Sequence, residues 1–121
     1  MTIRAKQNPA HKPTTAVRLP ATFKSFITRY PGLGRAHEDI AKIAESAGPL
    51  DAKTLALSKI GICIGAGLES ALRNHVRRAL QHGAKPAEVE QAILLGMNTI
   101  GFPRTAAAWS WTQEQVTRER G

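Results

Sequence analysis

The run Leu68-Glu69-Ser70-Ala71-Leu72-Arg73-Asn74-His75-Val76-Arg77-Arg78-Ala79-Leu80-Gln81-His82-Gly83 decides the fold. Leu68, Ala71, Leu72, His75, Val76, Ala79 and Leu80 recur at spacings of three and four, the period of one helix face, and Gly83 ends the pattern. The residues between them are polar, so this is an amphipathic helix with a buried side. Upstream, Asp51 can accept hydrogen bonds from the free N–H groups of a helix that runs through Leu55, Leu57, Ile60, Ile62 and Ile64. That helix is apolar on nearly all sides and is expected to be central. Gly65 and Gly67 break it. Downstream, Pro86 suits a first helical turn, and Val89, Ala92, Ile93, Gly96, Met97 and Ile100 mark a further core helix before Gly101-Phe102-Pro103. A last helix is predicted from about Arg104 to Arg118. Trp109 and Trp111 lie about 200° apart on it, so one faces the core and the other faces a partner or the surface.

Nearer the start, Phe23, Phe26, Ile27 and Tyr30 predict a short amphipathic helix stopped by Pro31-Gly32. A second follows, with Leu33, Ala36, Ile40, Ile43, Ala44 and Ala47 as its buried stripe and Glu38, Asp39, Lys42 and Glu45 outward. Gly48-Pro49 terminates it. Residues 1–20 carry Pro9, Pro13 and Pro20 and no helical period, which predicts an extended or mobile arm that can wrap a neighbouring subunit. The expectation is therefore an all-α fold of about six helices, with an arm over 1–20 and one helical domain over 21–121.

Composition agrees. A chain of 121 residues with 42% hydrophobic and 21% charged residues is ordinary for one globular domain, and 5% aromatic residues favours helix packing over sheet. No stretch reaches the roughly 18 apolar residues of a membrane span, and Met1 to Arg18 lacks the apolar centre of a signal peptide, so a cytoplasmic protein is expected. The net charge of +8 raises the question of nucleic acid. Arg4, Lys6, Lys12 and Arg18 lie in the arm, and removing these four leaves +4 on the rest. A helix-turn-helix over Leu68 to Thr99 is argued against by its second helix, since Val89 to Met97 has no Lys or Arg to meet phosphate or base.

The single cysteine, Cys63, sits in the apolar run Ile60-Gly61-Ile62-Cys63-Ile64 and is expected to be a buried, inert thiol; it cannot form an internal disulfide. His75 is the leading candidate for chemistry. An imidazole facing an apolar interface can be tuned toward neutrality and serve as general acid or base, or be a hydrogen-bonded core residue. Glu69 and Arg73 are spaced for an intrahelical ion pair, and Arg73 can alternatively clamp a substrate carboxylate. Glu69 and His75 lie about 120° apart and converge on one atom only if the helix begins irregularly after Gly67. His11, His37 and His82 lack metal-site spacing, and Gly65-x-Gly67 lacks the strand, third glycine and lysine of a phosphate loop. No metal or cofactor is expected.

With these residues in view, the stretch from Gly48 to Trp111 resembles the carboxymuconolactone decarboxylase family, which includes the alkylhydroperoxidase D-like proteins. The resemblance rests on Leu50-Asp51-x-Lys53-Thr54, on Leu72-Arg73-x-His75-Val76-Arg77-x-Ala79-Leu80 with Gly83-Ala84, and on Ile100-Gly101-Phe102-Pro103. It implies a helical bundle assembled as a homotrimer or hexamer. The redox branch carries Cys-x-x-Cys-x-x-x-His here, with a glutamate on the preceding helix. Those positions hold Leu68, Ala71 and about Ala56 in this chain, and only His75 is retained. The resemblance to the decarboxylase branch implies a pocket for a carboxylated lactone, with Arg73 holding the carboxylate and His75 and Glu69 as catalytic candidates, although that branch's acidic residue lies one or two positions nearer the histidine than Glu69. Three readings stand: a cofactor-independent lyase acting on a small carboxylated lactone or organic acid, a peroxiredoxin-type antioxidant protein, and a non-catalytic ligand-binding or assembly protein.

Overall fold

The computed structural model describes residues 21–120, with side chains from Phe23 onward. Residues 1–20, where the arm is expected, lie outside the described residues. Among the described residues there are six helices: α1 Ala21–Arg29, α2 Pro31–Glu45, α3 Ala52–Ala66, α4 Glu69–Gln81, α5 Pro86–Leu94 and α6 Phe102–Arg120. No strand occurs among the described residues, and no helix there is long and apolar enough to cross a membrane. The chain divides into two compact units, one ending at Pro49 and the other beginning at Leu50.

In the first unit α1 and α2 form a helical hairpin. Tyr30 links them, its amide still bonded to the Phe26 carbonyl at 2.8 Å, and Pro31 opens α2, where its missing N–H costs nothing. Gly34 lets the helices approach: a Cβ there would lie 3.0 Å from Cγ2 of Ile27. The predicted buried stripe of α2 is a correction. Leu33, Ile40 and Ile43 are 56%, 66% and 69% exposed, whereas Gly34, Glu38, Ala41 and Glu45 form the less exposed face. Spacing identifies residues that share a face, but whether a face is buried depends on what packs against it.

In the second unit α3, α4, α5 and α6 enclose the core, with Ile60, Leu72, Val76, Val89 and Ile93 fully buried. The Asp51 carboxylate accepts from the Thr54 amide at 2.9 Å and caps α3. Gly67 ends α3 at φ +71, and the bonds from the Leu68 amide to the Cys63 carbonyl and from the Gly67 amide to the Ile64 carbonyl turn the chain into α4. Arg104 reaches from α6 to donate to the Gly65 carbonyl at 3.1 Å. Ala84 and Gly83 repeat the same turn after α4. The Glu88 carboxylate accepts from the Lys85 amide at 2.8 Å and anchors the start of α5.

Three further expectations are adjusted. The helix predicted to continue to Ile100 stops at Leu94, followed by turns. Gly96 lies so close to Thr105, Ile64 and Ile100 that a Cβ would fall 2.9 Å from the Thr105 hydroxyl, so its place in the apolar pattern reflects close approach to α6. α6 is longer than predicted at both ends. α3 does touch α4, α5 and α6, yet it keeps an open side, where Ile62 is 67% exposed and a Cβ on Gly61 or Gly65 would meet nothing within 4 Å. The tryptophans divide as their spacing predicts, Trp111 packing on the core and Trp109 exposed.

Candidate functional site around His75

Helix α4 presents its side chains in three bands. Leu72, Val76 and Ala79 form a buried ridge. Arg73 and Arg77 lie on one flank and His75 on the other, since two residues of a helix turn the direction by about 200°.

The Arg73 flank is a closed polar tie. Nε and Nη2 of Arg73 donate to Oε2 of Glu69 at 3.1 and 2.8 Å, and Nη2 also donates to Oε1 of Glu114 on α6 at 2.7 Å. These bonds, that to Glu114 foremost, raise the guanidinium pKa above its ordinary value against the opposing effect of desolvation. Nη1 is buried without a hydrogen-bond partner. A turn later, Nη2 of Arg77 donates to Oδ1 of Asn74. Burial depresses the pKa of Arg77, partly offset by Glu119.

On the opposite flank His75 is half-buried and its Nδ1 is buried with no hydrogen-bond partner. Burial, followed by the positive charges of Arg78, Lys59 and Arg77, lowers its pKa from 6.5 to about 4. At neutral pH the ring is therefore uncharged within a field of three cations, one from α3 and two from α4. Such a ring is a latent acid: an anion entering the field would offset the cations and draw the pKa upward.

The predicted site residues therefore separate. Glu69 and Arg73 are joined to each other and to α6, while His75 stands across the ridge from them. α4 begins regularly at Glu69, so the irregular start that would aim Glu69 at His75 is not formed. Cys63 is buried on α3, and desolvation raises its thiol pKa, against a smaller effect of Lys59; thiolate, the reactive form, is thereby disfavoured. His37 is exposed on α2 and His82 follows the last turn of α4, whereas His11 is outside the described residues. Among the described residues no three His, Cys, Asp or Glu side chains are grouped to hold a metal.

One feature the helical pattern did not reveal is an open groove of about 530 Å³ between α3 and α5. Leu57, Ile64, Ala92, Leu95 and Ile100 supply apolar walls, and Gly61 and Gly65 leave the α3 backbone bare. His75, Arg73 and Glu69 do not line it. The signal was Gly61 and Gly65 themselves, one turn apart inside a helix.

A model of the carboxymuconolactone decarboxylase family matches residues 31–114, a span that contains Glu69, Arg73 and His75. No curated protein and no solved structure matches the chain.

Proposed function

We propose that this chain, which belongs to the carboxymuconolactone decarboxylase family, works without thiol chemistry as a lyase on a small carboxylated lactone or organic acid, with His75 as the residue that handles the proton. The observation that carries this reading is the half-buried, uncharged imidazole of His75 beside Arg78, Lys59 and Arg77. A carboxylated substrate brings the negative charge that this field favours. As the substrate's C–C bond to its carboxylate breaks, carbon dioxide leaves and the electron pair passes into the conjugated carbonyl as an enolate. The imidazole, having taken a proton from solvent when the anion bound, delivers it to the carbon that lost carbon dioxide. Arg73 and Glu69 enter this reading through the tie that holds α4 to α6, which keeps the His75 flank in place from behind.

The antioxidant alternative has less support. The family's dithiol positions hold Leu68 and Ala71, and Cys63 is buried with a raised pKa; a resolving pair is what peroxide reduction would require. Assembly as a homotrimer or hexamer belongs to the same proposal, supported by the exposed Leu68, Ile62 and Trp109.

The test is decarboxylation of a carboxymuconolactone by wild type, His75→Ala and Cys63→Ser, with a peroxidase assay in parallel. His75→Ala is expected to lower kcat by about 10²–10⁴-fold, with Cys63→Ser unchanged and peroxide turnover absent. Equal rates for His75→Ala and wild type would remove His75 from the mechanism.

A further inference from the structure

Glycine inside a helix costs about 0.5–1 kcal/mol relative to alanine, so each such position requires a reason. Gly96, just beyond α5, has one: a Cβ there would press on Thr105, Ile64 and Ile100. Gly61 and Gly65 in α3 have none among the described residues, because a Cβ at either meets nothing within 4 Å there. Both line the α3–α5 groove, so their missing side chains leave its floor open. From Thr54 to Gly65 that floor follows α3 for eleven helical steps, about 16 Å at 1.5 Å per step, and its volume of about 530 Å³ lies in the range of small-molecule sites. The groove is therefore long, narrow and mostly apolar.

Its two ends differ in charge. Near Thr54, the Glu88 carboxylate is paired with Lys53 at 3.1 Å and also accepts from the Lys85 amide, so charge there is matched. At the Gly65 end, Arg104 does not itself line the groove but lies just beyond it, donating through Nη1 to the Gly65 carbonyl, and its remaining guanidinium donors have no hydrogen-bond partner among the described residues. An apolar groove with a cation just beyond one end complements an elongated molecule that has an apolar body and an anionic head long enough to reach it.

We propose that the α3–α5 groove binds an elongated apolar monocarboxylate, its hydrocarbon body along the Gly61–Gly65 floor and its carboxylate beside Arg104. The site is independent of the His75 reading, since His75 does not line the groove.

Decanoate, below its micellar concentration, is the probe and 1-decanol its uncharged control, both titrated calorimetrically into the full-length chain. Gly61→Leu starts from a Cβ that meets nothing within 4 Å and places a side chain on the floor. It is expected to keep or raise the melting temperature while weakening decanoate by roughly tenfold or more, the scale of one displaced apolar contact. Arg104→Gln keeps a donor for the Gly65 carbonyl but removes the charge. It is expected to weaken decanoate by about two- to fivefold, the scale of an exposed ion pair, and to leave decanol unchanged. Failure of wild type to bind decanoate, or equal binding by wild type and Gly61→Leu, overturns the proposal. So does a Gly61→Leu chain whose sedimentation shows altered assembly while wild type ignores decanoate, since the groove then belongs to a second copy.

Discussion

The two flanks of α4 use similar residue types to opposite ends. On one, the positive charge of Arg73 is met by Glu69 and Glu114, and the result is a tie between helices. On the other, the positive charges of Arg78 and Lys59, with a smaller effect of Arg77 from across the ridge, act on an uncharged imidazole, and the result is a ring whose protonation answers to whatever anion approaches. The difference teaches that a cation acquires a structural or a chemical role from its neighbours. Bonded to carboxylates on two helices it fixes geometry, and close to a titratable ring it also tunes a pKa, whatever else it binds.

The severest way to break this contrast is to remove the ridge that separates the flanks. Leu72 is fully buried, and Leu72→Ala is expected to cost about 2–5 kcal/mol by denaturant unfolding, abolishing any distinction between the flanks. A cost below about 1 kcal/mol would mean that the ridge is not packed as described.

The contrast sharpens with pH. His75 titrates at 6.5 when unperturbed and near 4 in the fold, so as pH falls below 6.5 the unfolded chain takes up the proton first. The His75 contribution to stability should therefore decline from pH 6.5 and level off below pH 4, a loss on the order of 2 kcal/mol after discounting for partial solvent screening. In His75→Leu this contribution to the slope should vanish. An unchanged slope in that variant would show that His75 is not held neutral.

Arg73→Met keeps the aliphatic stem but removes the tie, and should cost about 1–2 kcal/mol while leaving the His75 contribution to the pH slope in place. If that contribution moved with Arg73, the flanks would be coupled and the comparison would fail. The smallest effect is expected from Glu69→Gln, below about 1 kcal/mol in a urea titration, because Glu69 is half-exposed and Glu114 still holds the guanidinium.

Much of this was legible in the chain itself. The ridge of α4, the Asp51 cap, the Gly67 and Gly83 corners and the division of the tryptophans all follow from local spacing and backbone preference. So did the isolation of Cys63, since one thiol in an apolar run has no partner. The separation of His75 from Arg73 follows from two residues of helical rotation, yet a motif read as a line of letters places them side by side. Less legible were the exposed face of α2 and the early end of α5. Leu33, Ile40 and Ile43 have the spacing of a buried stripe whether or not something covers them, and Gly96 fits an apolar pattern although its role is to admit Thr105.

By itself the sequence determined the helices, their order, the family and the absence of a dithiol, because helix period, caps and residue identities are local properties. Only the tertiary structure decided that Arg73 is spent on Glu69 and Glu114, that His75 is neutral among cations from two helices, and that Gly61 and Gly65 open onto a groove. Each of these depends on which side chains from distant segments meet, and desolvation and charge act through space with no regard for separation along the chain.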